Sequence, residues 1–166
     1  IMNMTFQNPS PMRTYVLLHH YFKSLLTGVQ GAHACMELVR KYQKPSTAQI
    51  MVNQWADHDK TLVFLDAGVS VHLHSFLDKL EILDPRVQLP WAPFFEDEHT
   101  LEGMLTAIAV TLPESVCKAT EQVWEQATVE HCGLAYEALQ EMGLDHSNRL
   151  EIFDIVQTIR GLPRAS

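Results

Sequence analysis

No run in this chain approaches the ~18 consecutive apolar residues that a bilayer-spanning helix needs. Its first residues show no succession of basic segment, apolar stretch and small-residue cleavage site, so the pattern of a secretory leader is missing. Cysteine is scarce: Cys35, Cys117 and Cys132 are an odd number at wide spacing, which excludes a disulfide framework and points to a reducing compartment. All three read as small buried hydrophobes. Paired Cys/His spacing of the structural-zinc kind is absent as well, and so are internal repeats and low-complexity tracts. These absences predict a cytoplasmic protein with no membrane association, no metal and no cofactor.

What is present is a core. The 166 residues are 46% apolar, which suits one well-buried domain and is too little chain for two. The net charge of −8 is uneven. Arg13, Lys23, Arg40, Lys41 and Lys44 face the single acid Glu37 in residues 1–50, whereas acids dominate the rest. An acidic surface repels a polyanion at long range, so any nucleic-acid contact is expected in the basic first third. Elsewhere the acids read as solvated helix faces.

Apolar periodicity divides the chain. Residues 1–11 read as an arm outside the fold, flexible or left over from cloning, with Met12 as the expected natural start. Strands are predicted at Arg13–His19, Thr61–Leu65, Val87–Phe95 and Leu105–Leu112; Pro90 and Pro93 demote the third to an edge or interrupted strand. Helices are predicted from Gly28 to Lys41 with Thr27 as N-cap, from Thr47 to Trp55, from Val69 toward Asp84-Pro85, and from Pro113 with anchors Val116, Ala119, Val123 and Ala127. Two more follow, at about Val129–Met142 and Ser147–Arg160. Glu96 to His99 reads as a polar loop. The order βααβαββα plus two helices gives a single α/β domain with a four-stranded mixed sheet flanked by helices, at least one strand pair being parallel. The α/β domain is placed at 12–126 and a helical C-terminal extension at 127–166. The extension either covers a sheet face or meets a second copy, which makes a homodimer an expectation.

The stretch Thr27-Gly28-Val29-Gln30-Gly31-Ala32-His33-Ala34 stands where a strand passes into a helix. A glycine-dotted turn there leaves backbone N–H groups free at the positive end of the helix, a place that suits phosphate or carboxylate. Lys23 lies just upstream. The competing reading is a capped helix packed closely on the sheet, the glycines serving only close approach.

Strand, then Gly28-Val29-Gln30-Gly31-Ala32-His33-Ala34, resembles the signature of type 2 peptidyl-tRNA hydrolases, in which a Gly/Lys-rich loop leads into Ala-Gln-x-x-His-Ala on the first helix. The resemblance continues through Gln54-Trp55, Lys60 to Leu65 and Val69 to Leu83. It extends loosely to Asp97-Glu98-His99-Thr100, where the family has Asp-x-Gly-x-Thr before its last strand. It covers about Met12 to Gln126. The family's site lysine falls at Leu26 here, with Lys23 three residues earlier, and the loop glycine is missing.

That resemblance implies hydrolysis of the ester between a peptide and tRNA. Such an ester is already activated and needs a positioned water and a donor to the developing oxyanion. By resemblance Asp97 orients or deprotonates water, Lys23 or the helix amides hold the oxyanion, and Thr100 holds the ester. Thr27, Gly28, Gln30, Gly31 and His33 are the candidate phosphate- or ligand-binding residues. Two alternatives remain open. One is a non-catalytic module for a small phosphorylated ligand or nucleotide. The other is an interaction or oligomerisation scaffold using the C-terminal helices.

The histidine clusters argue against a metal. His19 and His20 on a strand point to opposite faces, and His72 and His74 on a helix diverge. His33 is expected to pack, hydrogen-bonded, in the first helix. Trp91, Phe94 and Phe95 suit either a stacking platform for a base or a core or subunit contact.

Overall fold

The computed structural model describes residues 11–83, 85, 87–118 and 149–166. Its centre is β1 (Met12–Leu18), whose run of aromatic, β-branched and leucine residues is buried almost throughout. Beside it lie β2 (Thr61–Asp66), β4 (Leu105–Pro113) and, beyond β4, β3 (Trp91–Phe95), in the order β2-β1-β4-β3. β1 and β2 are parallel, with Arg13 opposite Thr61 and Leu18 opposite Asp66. The other two pairings are antiparallel. The chain is a single α/β domain with a four-stranded mixed sheet.

Side chains alternate across each strand, which sorts the helices into two layers. Val16, Phe64, Ala107 and Ala109 share one face through the cross-strand register. Helix α1 (Leu25–Lys41) lies there, with Gly31 directly over the Phe64 ring. The small β4 side chains on that face let the helix approach closely. Leu17, Ile108 and Leu112 face the other way. That side is covered by α3 (Ser70–Glu81), through Leu73, Phe76 and Leu80, and by the last described helix, Arg149–Gly161. This helix, α6, buries Ile152, Ile155, Val156 and Ile159, and its Asp154 pairs with Lys79 of α3 at 2.9 Å. The C-terminal helix therefore covers a sheet face. The tail after it bridges the outer edge of β2: Asp66 N–H donates to the Pro163 carbonyl and Ala165 N–H to that of Phe64.

Several predicted boundaries move. Helix α1 starts at Leu25, and its N-cap is Ser24, held at φ 51°, instead of Thr27. The α2 helix (Thr47–Gln54) is capped by the Ser46 hydroxyl, which accepts from Gln49 N–H, and it continues as a π-helical turn, Trp55–Asp59. β3 contains only Trp91–Phe95 of the predicted 87–95. It is an edge strand, so the missing N–H of Pro93 costs no ladder bond in the middle of a sheet. The supposed loop Glu96 to His99 closes into a one-turn helix, α4 (Glu98–Leu101). Past Pro113, α5 (Glu114–Lys118) is described; the anchors Ala119, Val123 and Ala127 and the helix at 129–142 lie outside the described residues.

Candidate functional site

The parallel strands β1 and β2 end side by side, and the loops that leave them diverge to opposite faces, one into α1 and the other into α3. In open α/β sheets such a divergence at the carboxyl ends opens a crevice where ligands bind. Here it gathers three ionisable side chains. His20 Nδ1 lies 2.5 Å from Asp66 Oδ2, and Lys23 Nζ lies 3.5 Å from the same oxygen and 3.3 Å from His20 Nδ1. His20 and Lys23 are exposed while Asp66 is mostly shielded. The backbone fixes the arrangement: His20 N–H donates to the Gly68 carbonyl, Ala67 N–H to that of Leu18, and Gly68 N–H to Asp66 Oδ1. Gly68 is required here. Its φ is +81°, and a β-carbon on it would stand 2.6 Å from His72 Nδ1.

Burial alone would raise the Asp66 pKa. The Gly68 amide, the His20 hydrogen bond and the charges of His20 and Lys23 outweigh it and hold the carboxyl below its usual value. An ionised Asp66 places the imidazole proton on His20 Nδ1 and leaves Nε2 as the basic nitrogen. His19 is arranged differently. Tyr21 N–H donates to its Nδ1, so the proton sits on Nε2 and is donated to Ser70 Oγ, 3.1 Å away. That tautomer cannot take a proton from Ser70, so the pair is a structural link between the two loops. Burial, with the neighbouring His20 charge, holds His19 below the usual histidine pKa.

The predicted ligand-binding residues lie within α1. Because the helix begins earlier than expected, Thr27, Gly28 and Gly31 fall in its first two turns and not in an open cradle. Leu26 N–H already donates to the Lys23 carbonyl and Thr27 N–H to that of Ser24. The Thr27 hydroxyl donates to the Phe22 carbonyl. Gly28 stands open, with no neighbour among the described residues within 4 Å of a built β-carbon. Gln30 is 4% exposed and bonded at both ends of its amide: Nε2 donates to Glu96 Oε1 at 2.6 Å and Oε1 accepts from Thr106 Oγ1 at 2.6 Å. His33 packs as expected, with its ring 4.6 Å from that of Phe94, but its buried Nδ1 has no hydrogen-bond partner among the described residues.

Asp97 is the N-cap of α4, its Oδ1 accepting from His99 N–H at 2.7 Å and Thr100 N–H at 3.0 Å. The ammonium of Lys23 thus meets Asp66 and His20, while the Asp97 carboxylate is engaged with its own helix. Of the aromatic cluster, Trp91 carries Lys41 Nζ 3.4 Å over its ring, and the same ammonium donates to the Trp91 carbonyl. Burial pushes Lys41 down to about 8, with Glu81 pulling the other way. Sequence reasoning reached Lys23 but missed its partners. Asp66 falls between the predicted strand ending at Leu65 and the helix starting at Val69, and His20 reads only as a poor metal ligand. The available signal was an acid at the last position of a buried strand, followed by Ala-Gly.

No family model and no curated protein sequence matches this chain.

Proposed function

We propose that this protein hydrolyses the ester linking a peptide to tRNA, with His20, Asp66 and Lys23 as the working group. The observation that carries the reading is the meeting of Lys23 with a carboxylate-oriented histidine at the carboxyl ends of the parallel strands. The resemblance of Gly28 to Ala34 supplies the substrate. In this reading His20 Nε2 takes a proton from water as the water oxygen adds to the ester carbonyl carbon. Asp66 holds the imidazole and balances the imidazolium. Lys23 faces the charge that develops on the carbonyl oxygen. Return of the proton to the ribose oxygen breaks the ester and releases peptide carboxylate and tRNA. Thr27, Gln30 and Gly31 position the helix beneath, and Asp97 and Thr100 shape the neighbouring loop.

Release of tRNA from a peptidyl-tRNA by the purified chain tests this. Asp66→Asn keeps the Gly68 contact and removes the charge. It and His20→Ala are each expected to slow release by about 10²–10⁴-fold. Asp97→Ala should change stability more than rate. The absence of release by the wild-type chain would sink the reading. The net charge of −8 favours a small phosphorylated ligand over a long polyanion as the alternative occupant. That alternative requires a nucleotide-induced melting shift that Lys23→Ala abolishes, with no turnover.

A further inference from the structure

Large apolar side chains gather around the corner formed by His20, Asp66 and Lys23. Twelve are exposed among the described residues. Five of them, Tyr21, Leu25, Leu26, Val69 and Val71, fall in the two segments that carry the corner, residues 20–26 and 66–71. Leu25 is 82% accessible and Tyr21 70%. The backbone ties these positions to the ionisable group. Tyr21 follows His20, and Val69 follows Gly68, whose carbonyl accepts from His20 N–H at 2.7 Å. Leu25 and Leu26 open α1, and Leu26 N–H donates to the Lys23 carbonyl at 3.2 Å. Tyr21 stands edge-on to Phe22, with ring centroids 5.4 Å apart, and Phe22 is buried. The hydrogen bonds that set the ionisable group thus set the apolar rim as well.

Exposed apolar side chains gathered beside polar groups mark a binding surface. The charge pattern selects the occupant. Apart from His20, Lys23 and Asp66, the two segments hold no charged side chain. A single lysine, shared with Asp66, is a poor cradle for the successive phosphates of a polyanion. An apolar group next to an ester carbonyl, by contrast, would find apolar partners on both loops.

We infer that this rim receives the acyl side of the ester, so that the protein selects peptidyl-tRNAs whose esterified residue has a large apolar side chain. This rests on the hydrolytic reading of His20, Asp66 and Lys23 and names its substrate class. One tRNA body acylated with N-acetylphenylalanine or with N-acetylglycine tests it, release by the full chain being corrected for spontaneous loss. The expected kcat/KM is about tenfold higher for the phenylalanyl ester, the low end for an apolar contact because these side chains are exposed. Leu25→Ser/Val69→Ser should slow the phenylalanyl ester several-fold more than the glycyl ester. Its changes are at the first residue of α1 and the N-cap of α3, where serine is tolerated, so the melting temperature should stay within a few degrees of wild type. Equal release of the two esters by the wild-type chain, or an equal effect of the substitutions on both, would overturn the inference; the hydrolytic reading would survive if Asp66→Asn slowed both esters. Release of neither ester would overturn the two together.

Discussion

Gly31 lies so close against Phe64 that a β-carbon on it would stand 2.4 Å from the ring's Cε1 and 2.6 Å from its Cζ. Phe64 is half-buried against the core, so a β-carbon at Gly31 forces either the ring or the helix to shift. Gly31→Ala is expected to destabilise the fold by about 1–3 kcal/mol, the usual range for an overpacked core site. Gly28→Ala, with open space around it, should be neutral or slightly stabilising, because alanine favours the helix. Denaturant melts of the two variants check the contrast. Phe64→Leu should recover part of the Gly31→Ala loss, which a double-mutant cycle would show as coupling.

Gln30 joins three elements: its own helix, the loop after β3 through Glu96, and β4 through Thr106, a fully buried residue. Gln30→Ala leaves the Thr106 hydroxyl without that acceptor. The expected cost is about 1–3 kcal/mol, from desolvation of an unsatisfied buried group. Thr106→Val should cost less than that, and the double variant less than the sum of the two. Equilibrium unfolding of the three variants measures this.

The contrast between Gly31 and Gln30 also shows what the sequence made legible. Sheet composition, the parallel pair and the edge position of β3 could be read, because they follow from strand periodicity and from where proline removes a donor. The start of α1 could not. Leu25 and Leu26 look like strand or loop hydrophobes, and nothing local shows that Ser24 adopts a left-handed φ and begins the helix there. The three-residue difference turned an expected amide cradle into helix interior. Lys23 was legible as a cation near that corner. Its partner Asp66 is 43 residues away in sequence and adjacent only through the β1–β2 register, which periodicity does not give.

The tail beyond α6 closes the exposed edge of β2. The Pro163 carbonyl accepts from Asp66 N–H at 2.9 Å, Ala165 N–H donates to Phe64, and the Ser166 carbonyl accepts from Ser24 N–H at 3.3 Å. An open edge strand is a template for pairing with another chain. Removal of residues 163–166 should therefore lower stability by about 0.5–1.5 kcal/mol per lost bond. It should also speed amide exchange at Asp66 and raise concentration-dependent light scattering. Exchange at Val110 in β4, covered on both edges, should be unchanged unless the whole fold opens.

His19 and Asp66 give the fold two separate acid sensitivities. The His19 pKa is lowered from 6.5, chiefly by burial. The unfolded chain therefore binds a proton at a pH where the folded chain does not. Its contribution is fully present above the unfolded value and is lost as pH falls through the folded one. Asp66, lowered from 3.8, contributes above that value and loses its contribution as pH falls further, through its own folded pKa. The wild-type melting temperature should thus begin a first decline as pH falls below 6.5 and a second as it falls below 3.8. His19→Gln, whatever its overall stability, should flatten the first step and keep the second; Asp66→Asn should shrink the second and leave the part due to Glu114, whose carboxyl Lys118 and Arg13 also hold below its usual value. Melting curves across that range read both slopes directly, and a first step that survives His19→Gln would assign it to another of the nine histidines.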